Sequence, residues 1–139
     1  MKINFYIADE IRNEQGGKAF LIGLYPDHVV VVNVGKDQPE IGSSGEKIGY
    51  LIERLAFLVC VSEAPGKHTV GVQYFDPSGN PLAPRTALPD FEIEKGLSAS
   101  LVLESKPFPF PESGMYKLSF EIDGNMYELP FEMRVVREK

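Results

Sequence analysis

The stretch that decides the fold spans residues 113–136 and reads SGMYKLSFEIDGNMYELPFEMRVV. Apolar and polar side chains alternate along it on both sides of the pair Asp123-Gly124. Because an extended backbone points successive side chains to opposite faces, this pattern gives one apolar face and one polar face. The Asp-Gly pair supplies the positive φ angles that a tight hairpin turn requires. The stretch therefore predicts an antiparallel β-hairpin.

Shorter runs of the same kind precede the hairpin and are separated by glycine and proline turns. They cover residues 2–8, 19–25, 28–34, 55–62, 68–76, 91–94 and 97–104. Eight or nine short strands with frequent turns are typical of an antiparallel two-sheet β-sandwich of the immunoglobulin-like or C2-like kind. We expect this all-β architecture, as a single domain over residues 1–139, with an open β-barrel as the alternative. Proline-rich crossings favour the sandwich because they suit changes of sheet and open edges.

Composition narrows the class of protein. The chain has 139 residues, of which 43% are hydrophobic, and a formal net charge of −6. Affinity for nucleic acid depends on Lys and Arg that neutralise phosphates, so the acidic balance argues against such a partner. No stretch approaches the roughly 20 apolar residues of a membrane-spanning helix, and the first residues lack the apolar core of a signal peptide. We therefore expect a soluble cytoplasmic protein with neither a membrane nor a nucleic-acid partner.

The most polar early segment, residues 9–18, is the candidate interaction loop. Its charged members are Asp9, Glu10, Arg12, Glu14 and Lys18. The three carboxylates could bind a hard cation, but their spacing does not match that of a calcium loop. The basic side chains of Arg12 and Lys18 would also compete with a metal ion for the same carboxylates. The favoured interpretation is a loop, with a short helical turn, held by its own ion pairs. No metal ligand and no cofactor-binding residue is assigned.

Candidates for catalysis are few. Cys60 lies in the apolar run of residues 55–61, where a buried structural thiol is the ordinary interpretation. A Cys60–His68 dyad would need the two side chains within hydrogen-bonding distance and a third group to orient the base. The chain has only one further histidine, His28, so a zinc site would lack ligands. The Gly-x-Ser-x-Gly motif that holds the nucleophilic serine of many hydrolases does not occur. We assign no catalytic residue and expect that the protein is not an enzyme.

Four aromatic residues are candidate contacts for another protein. Tyr6 and Tyr25 could project outward from predicted strands, and Phe108 and Phe110 lie in a crossing between prolines that could be exposed. Aromatic side chains are favoured anchors at protein interfaces. In the alternative interpretation the two phenylalanines close one end of the sandwich and the tyrosines lie at its rim.

Several short segments also indicate a family. The chain has ADEIR at residues 8–12, GGK at residues 16–18, LIGLY at residues 21–25, PESG at residues 111–114 and the Asp-Gly turn at residues 123–124. In these segments it resembles short bacterial and phage proteins that are grouped as a domain of unknown function. The resemblance implies a small cytoplasmic β-domain carried by mobile elements, and it brings no catalytic residues.

These observations favour a non-catalytic interaction module. Such a module would bind a protein partner or associate with itself through a sheet edge or the end loops, since edge strands offer unpaired backbone groups. A phage or mobile-element origin would fit the resemblance. The alternative function is a small-ligand or metal-binding protein that uses residues 9–18.

Overall fold

The computed structural model describes residues 1–13, 18–35 and 49–137. In these ranges the chain contains eleven β-strands and no helix. The strands are β1 (Lys2–Asn13), β2 (Ala19–Leu24), β3 (Val29–Val34), β4 (Tyr50–Ile52), β5 (Leu55–Ser62), β6 (Gly66–Phe75), β7 (Thr86–Ile93), β8 (Ala99–Ser105), β9 (Phe108–Phe110), β10 (Gly114–Ile122) and β11 (Asn125–Arg137). The all-β class is confirmed.

The strands form three sheets. A four-stranded sheet has the order β2-β1-β5-β8, a five-stranded sheet has the order β3-β11-β10-β6-β7, and β4 pairs with β9. The predicted count of eight or nine strands is too low. The main reason is that β4 and β9 have three residues each, which is too short to show an alternation in the sequence.

The predicted hairpin is confirmed. Strands β10 and β11 pair antiparallel from Gly114 opposite Met133 to Ile122 opposite Asn125. The turn residues Asp123 and Gly124 have φ angles of 50° and 82°. Positive φ at both central residues is the geometry of the type I′ turn that matches the twist of paired strands.

One strand pair departs from the antiparallel arrangement. Strand β3 runs parallel to β11, with Val30 opposite Met133. The chain leaves the four-stranded sheet at the end of β2 and enters the five-stranded sheet through the turn at residues 25–28. Strand β3 therefore lies at the edge of the five-stranded sheet and runs in the same direction as β11. No local sequence pattern specifies this parallel pairing.

The main hydrophobic core takes side chains from both larger sheets. Phe57 of β5 contacts Phe131 of β11 with ring centroids 5.0 Å apart, and it contacts Tyr74 of β6 at 5.4 Å. Phe108 and Phe110 are only 3% and 2% exposed and belong to the same core. Their predicted role as surface contacts is therefore wrong, because strand β9 turns both phenylalanines inward.

No helix that is long and apolar enough to cross a membrane occurs in the part of the chain that the structure describes.

Candidate functional site

Strand β2 is the most unusual surface element among the described residues. It lies at the edge of the four-stranded sheet, and its sequence AFLIGL contains neither a charge nor a proline. The alternate side chains Phe20, Ile22 and Leu24 are 55%, 43% and 47% exposed. Edge strands are usually protected by charged residues, prolines or bulges, because their unpaired backbone groups can pair with another chain. An apolar edge of this kind is therefore a candidate binding surface.

Across the neighbouring strand β1 the surface is charged beside Phe20 and Ile22, which lie opposite Arg12 and Glu10, and apolar beside Leu24. Leu24 lies opposite Ala8 of β1, and Ala8 lies opposite Ala56 of β5. Ala56 and Leu58 form a second hydrophobic cluster with Ala8 and Ile11, while the intervening Phe57 belongs to the main core. The sheet therefore has apolar residues on both faces where β1 meets β5. We call Tyr6, Phe20, Ile22 and Leu24 the β2 edge surface.

Tyr6 is the one predicted aromatic contact that lies on the β2 edge surface. It is 43% exposed, lies opposite Leu58, and shares a face with Ala8 two residues further on. It extends the row of exposed side chains from the edge strand onto the middle of the sheet.

Tyr25 has a different role, because it holds Asp9. The phenol donates a hydrogen bond of 2.5 Å to Asp9 Oδ1, and burial together with this carboxylate raises the pKa of Tyr25. Gly23 makes the arrangement possible. Its φ is +70°, and a Cβ at this position would lie 2.3 Å from Asp9 Oδ2. Only glycine combines that backbone conformation with the close approach of Asp9.

The predicted loop at residues 9–18 is wrong in its first half, since β1 continues to Asn13. The charged side chains of residues 9–12 resemble a loop in the sequence, but pairing with β2 keeps this segment extended. Glu10 accepts hydrogen bonds from Arg12 at 3.1 Å and from Arg54 at 3.0 Å. The bond from Arg12, assisted by the charge of Arg54, lowers the pKa of the Glu10 carboxyl. Part of the expected ion pairing is thus present.

Asp9 does not share the partners of Glu10. Lys18 is exposed, and Glu14 lies outside the described residues. Asp9 and Glu10 are successive residues of a strand and have separate partners, Tyr25 for the first and arginines for the second. No group of three or more His, Cys, Asp or Glu side chains that could hold a metal ion occurs among the described residues.

A second polar arrangement lies at one end of the five-stranded sheet. His68 Nδ1 is 2.5 Å from Asp123 Oδ2, and His68 Nε2 is 2.6 Å from the carbonyl oxygen of Ala64. The other carboxylate oxygen of Asp123 accepts the backbone N–H of Thr69 at 2.9 Å. The hydrogen bond to Asp123 and then the one to Ala64 raise the pKa of His68, and the bond from His68 lowers the pKa of Asp123.

The other reactive groups are not brought together. Cys60 lies on β5 with its Sγ 3.8 Å from Ser100 Oγ, whereas His68 lies on β6 of the five-stranded sheet. The Cys60–His68 dyad is therefore not formed. His28 stacks on Phe5 at 3.9 Å, and its Nε2 lies 3.1 Å from the Phe5 carbonyl oxygen. Sequence reasoning missed the partnership of His68 with Asp123 because the two residues are 55 positions apart.

Comparison with known proteins gives no assignment. No family model matches the chain, and no curated protein matches it either. This outcome is consistent with the resemblance to a group of proteins of unknown function. The chain is similar in structure to part of the alkylpurine DNA glycosylase AlkC of Pseudomonas fluorescens, with a TM-score of 0.47, 17% identity, and coverage of 76% of this chain and 27% of that one. It is also similar to part of a β-glucosidase of Listeria innocua, with a TM-score of 0.43, 12% identity, and coverage of 97% and 17%. In both cases the chain spans less than a third of the other protein.

Proposed function

We propose that the chain is a non-catalytic interaction module with a β-sandwich architecture, of immunoglobulin-like or C2-like type, and that it associates with a second copy of itself through strand β2. The observation that carries the proposal is the uncharged edge strand with the exposed row of Phe20, Ile22 and Leu24. Adding a strand to an open sheet edge is a common mode of protein recognition, in which backbone hydrogen bonds and alternate side chains both contribute.

The distribution of charge supports a second copy as the partner. Strand β2 is itself uncharged, exposed Lys18 precedes it, and exposed Asp27 follows it. When two β2 strands pair antiparallel, the Lys18 end of one copy meets the Asp27 end of the other. Opposite charges then face each other at both ends of the contact, although the whole chain carries a net charge of −6.

The size of the surface predicts a weak association. Full burial of an exposed Phe, Ile or Leu side chain contributes about 1.5–3 kcal/mol, so a half-exposed side chain contributes roughly 1 kcal/mol. Three such residues on each copy give about 6 kcal/mol, and backbone hydrogen bonds add about 1 kcal/mol each. Association costs on the order of 4–15 kcal/mol in lost freedom of motion. The gain and the cost are of the same order, so we expect a weak dimer.

Sedimentation equilibrium of wild-type protein and of the variant Ile22→Lys tests the proposal. We expect concentration-dependent dimers of the wild type between about 10 μM and about 1 mM, the concentrations at which a weak dimer becomes populated. Lysine in the centre of the edge should abolish them, because two charges would be brought together in the contact. Leu97→Lys is the matched control, since Leu97 is 59% exposed and lies between β7 and β8. A wild type that stays monomeric throughout, or an Ile22→Lys variant that still dimerises, would overturn the proposal.

Other features of the proposal rest on composition. We propose a cytoplasmic location because the chain has a single thiol, Cys60, and no pair of cysteines for a disulfide. A protein partner is proposed in preference to a nucleic acid, because the net charge of −6 opposes binding to phosphates. A phage or mobile-element origin is proposed from the family resemblance.

A further inference from the structure

His68 joins three separate parts of the chain at one end of the five-stranded sheet. Its ring lies on β6, is held by Asp123 in the β10–β11 turn, and contacts Ala64 in the connection between β5 and β6. The residue is only 8% exposed. The ring is also 5.5 Å from the ring of Phe91 on β7, the edge strand that pairs with β6. Its hydrogen bonds therefore tie the turn and the connection to the same sheet.

The chemistry of the two acceptors determines the protonation state of the ring. A carbonyl oxygen cannot donate, so Nε2–H donates to Ala64 at 2.6 Å. An ionised carboxylate cannot donate either, so Nδ1–H donates to Asp123 at 2.5 Å. The second oxygen of Asp123 accepts the N–H of Thr69, as a carboxylate does. Only imidazolium donates from both ring nitrogens, whereas a neutral ring must give up one of the two bonds.

The position of the ring links this proton to the pairing of β6 with β7. His68 lies opposite Phe91, and the register between the two strands shifts between His68 and Val70. Asp123 also donates its backbone N–H to the Thr69 carbonyl oxygen at 3.0 Å. The turn is therefore hydrogen-bonded to both the N–H and the carbonyl oxygen of Thr69. The β10–β11 turn is thus hydrogen-bonded to β6 at the same place where the register between β6 and β7 shifts.

We propose that His68 is a proton-dependent clamp: the imidazolium fastens the β10–β11 turn and the β5–β6 connection to the start of β6, and loss of its proton releases one of these attachments. Release at this point loosens the irregular part of the β6–β7 pair and with it the end of edge strand β7. The clamp is independent of the β2 edge surface, which lies on the other large sheet.

Other charged groups lie near the clamp on each neighbouring element. Lys67 is on β6, Asp90 and Glu92 are on β7, and these residues line an open groove of about 380 Å³ together with His68, Thr69 and Phe91. Glu63 lies next to Ala64 in the β5–β6 connection. Asp123 differs from them in its direct hydrogen bond to the ring, which favours the protonated form.

The clamp holds over a defined range of pH. Its two hydrogen bonds raise the pKa of His68 above the usual value of about 6.5, so the imidazolium is complete below that value and is lost as the pH rises through the raised pKa. The lowered pKa of Asp123 keeps its carboxylate ionised down to acidic pH. Opening is therefore expected on the alkaline side.

Nuclear magnetic resonance on the full chain tests the proposal. We expect nitrogen shifts of the His68 ring to show protons on both nitrogens at pH 6.5, followed by loss of one proton on the alkaline side. Over the same step, protection of the Thr69 and Asp123 amides from hydrogen exchange, corrected for the intrinsic effect of pH, should fall roughly tenfold or more, as expected for loss of a charge-assisted hydrogen bond. A neutral His68 ring at pH 6.5, or protection that does not change across its titration, would overturn the proposal.

The variant Asp123→Asn provides the decisive comparison. Asparagine tolerates the positive φ of this position, 50°, and its amide oxygen can still accept from Thr69, so the turn is retained. The charged acceptor is removed, so we expect ring deprotonation at a lower pH and an exchange step that moves with it. His28→Asn is the matched control, because His28 also has a positive φ, 57°, and lies away from the clamp. It should leave the step unchanged. If the pH at which amide protection falls were the same in Asp123→Asn as in the wild type, the loss of protection could not be assigned to the proton of His68.

Discussion

Replacement of Gly23 by alanine tests how the β2 edge is built. The position has a φ of +70°, which costs a residue with a Cβ roughly 1–2 kcal/mol. The new Cβ would also lie 2.3 Å from Asp9 Oδ2 and 3.1 Å from Asp9 Cβ, so the whole Asp9 side chain has to move. Its hydrogen bond with Tyr25, at 2.5 Å, is then lost at a cost of about 1 kcal/mol. The expected loss of unfolding free energy is about 2–3 kcal/mol.

Two comparisons separate the backbone strain from the contact with Asp9. Gly79 has a φ of +84° and no atom within 4 Å of its Cβ position, so Gly79→Ala should cost only the strain of roughly 1–2 kcal/mol. In an Asp9→Ala background the carboxylate that clashes is absent and only the Cβ at 3.1 Å remains, so Gly23→Ala should cost little more than the strain. The difference between the two backgrounds, about 1 kcal/mol, is the coupling between Gly23 and Asp9.

Urea unfolding of the four variants of this cycle measures the coupling. Equal costs of Gly23→Ala in both backgrounds would refute the account of Gly23, since the Asp9 contact would then carry no energy. A total cost below about 0.5 kcal/mol would refute the assigned backbone conformation as well, because strain at a positive φ alone exceeds it.

Two further predictions concern pH and metal ions. The His68–Asp123 pair should give the curve of stability against pH a plateau between about pH 4 and about pH 6.5. The stabilisation is lost above this range as His68 loses its proton, and below it as Asp123 gains one. In thermal unfolding, the variant His68→Gln should show a flatter curve on both sides of the plateau. Calcium, magnesium or zinc should leave the midpoint of thermal unfolding unchanged, because Asp9 and Glu10 are engaged by Tyr25 and by arginines. A cation present at 100 times its dissociation constant would stabilise by about 2.7 kcal/mol, and such a shift would revive the metal-binding alternative for residues 9–18.

The sequence predicts those parts of the fold whose signal is local. The β10–β11 hairpin was predictable because nine paired residues on each strand alternate around an Asp-Gly turn. The extension of β1 to Asn13 was not, since its charged residues match a loop and become strand only through pairing with β2. Phe108 and Phe110 flank a proline in a three-residue strand, which is too short to show which way the side chains point.

The candidate sites were less predictable than the fold for a related reason. The exposed row of β2 depends on the position of that strand at a sheet edge, and the same apolar sequence would be ordinary in a central strand. The His68 clamp depends on Asp123, which is 55 residues away and serves in the sequence as a turn residue. Both sites follow from strand order, which is a property of the whole chain.

The composition of β2 raises the question of how an uncharged apolar edge avoids unlimited aggregation. Natural edges limit pairing with charges, prolines or local distortions, and β2 has only the last of these, at Gly23. The left-handed backbone there interrupts the regular strand one residue before Leu24. A partner strand that pairs with β2 therefore meets an irregular point at Gly23, which limits the number of regular backbone hydrogen bonds. Such a contact is short enough to stay weak and closes on itself when two copies pair antiparallel, which favours a reversible dimer over an extended fibre.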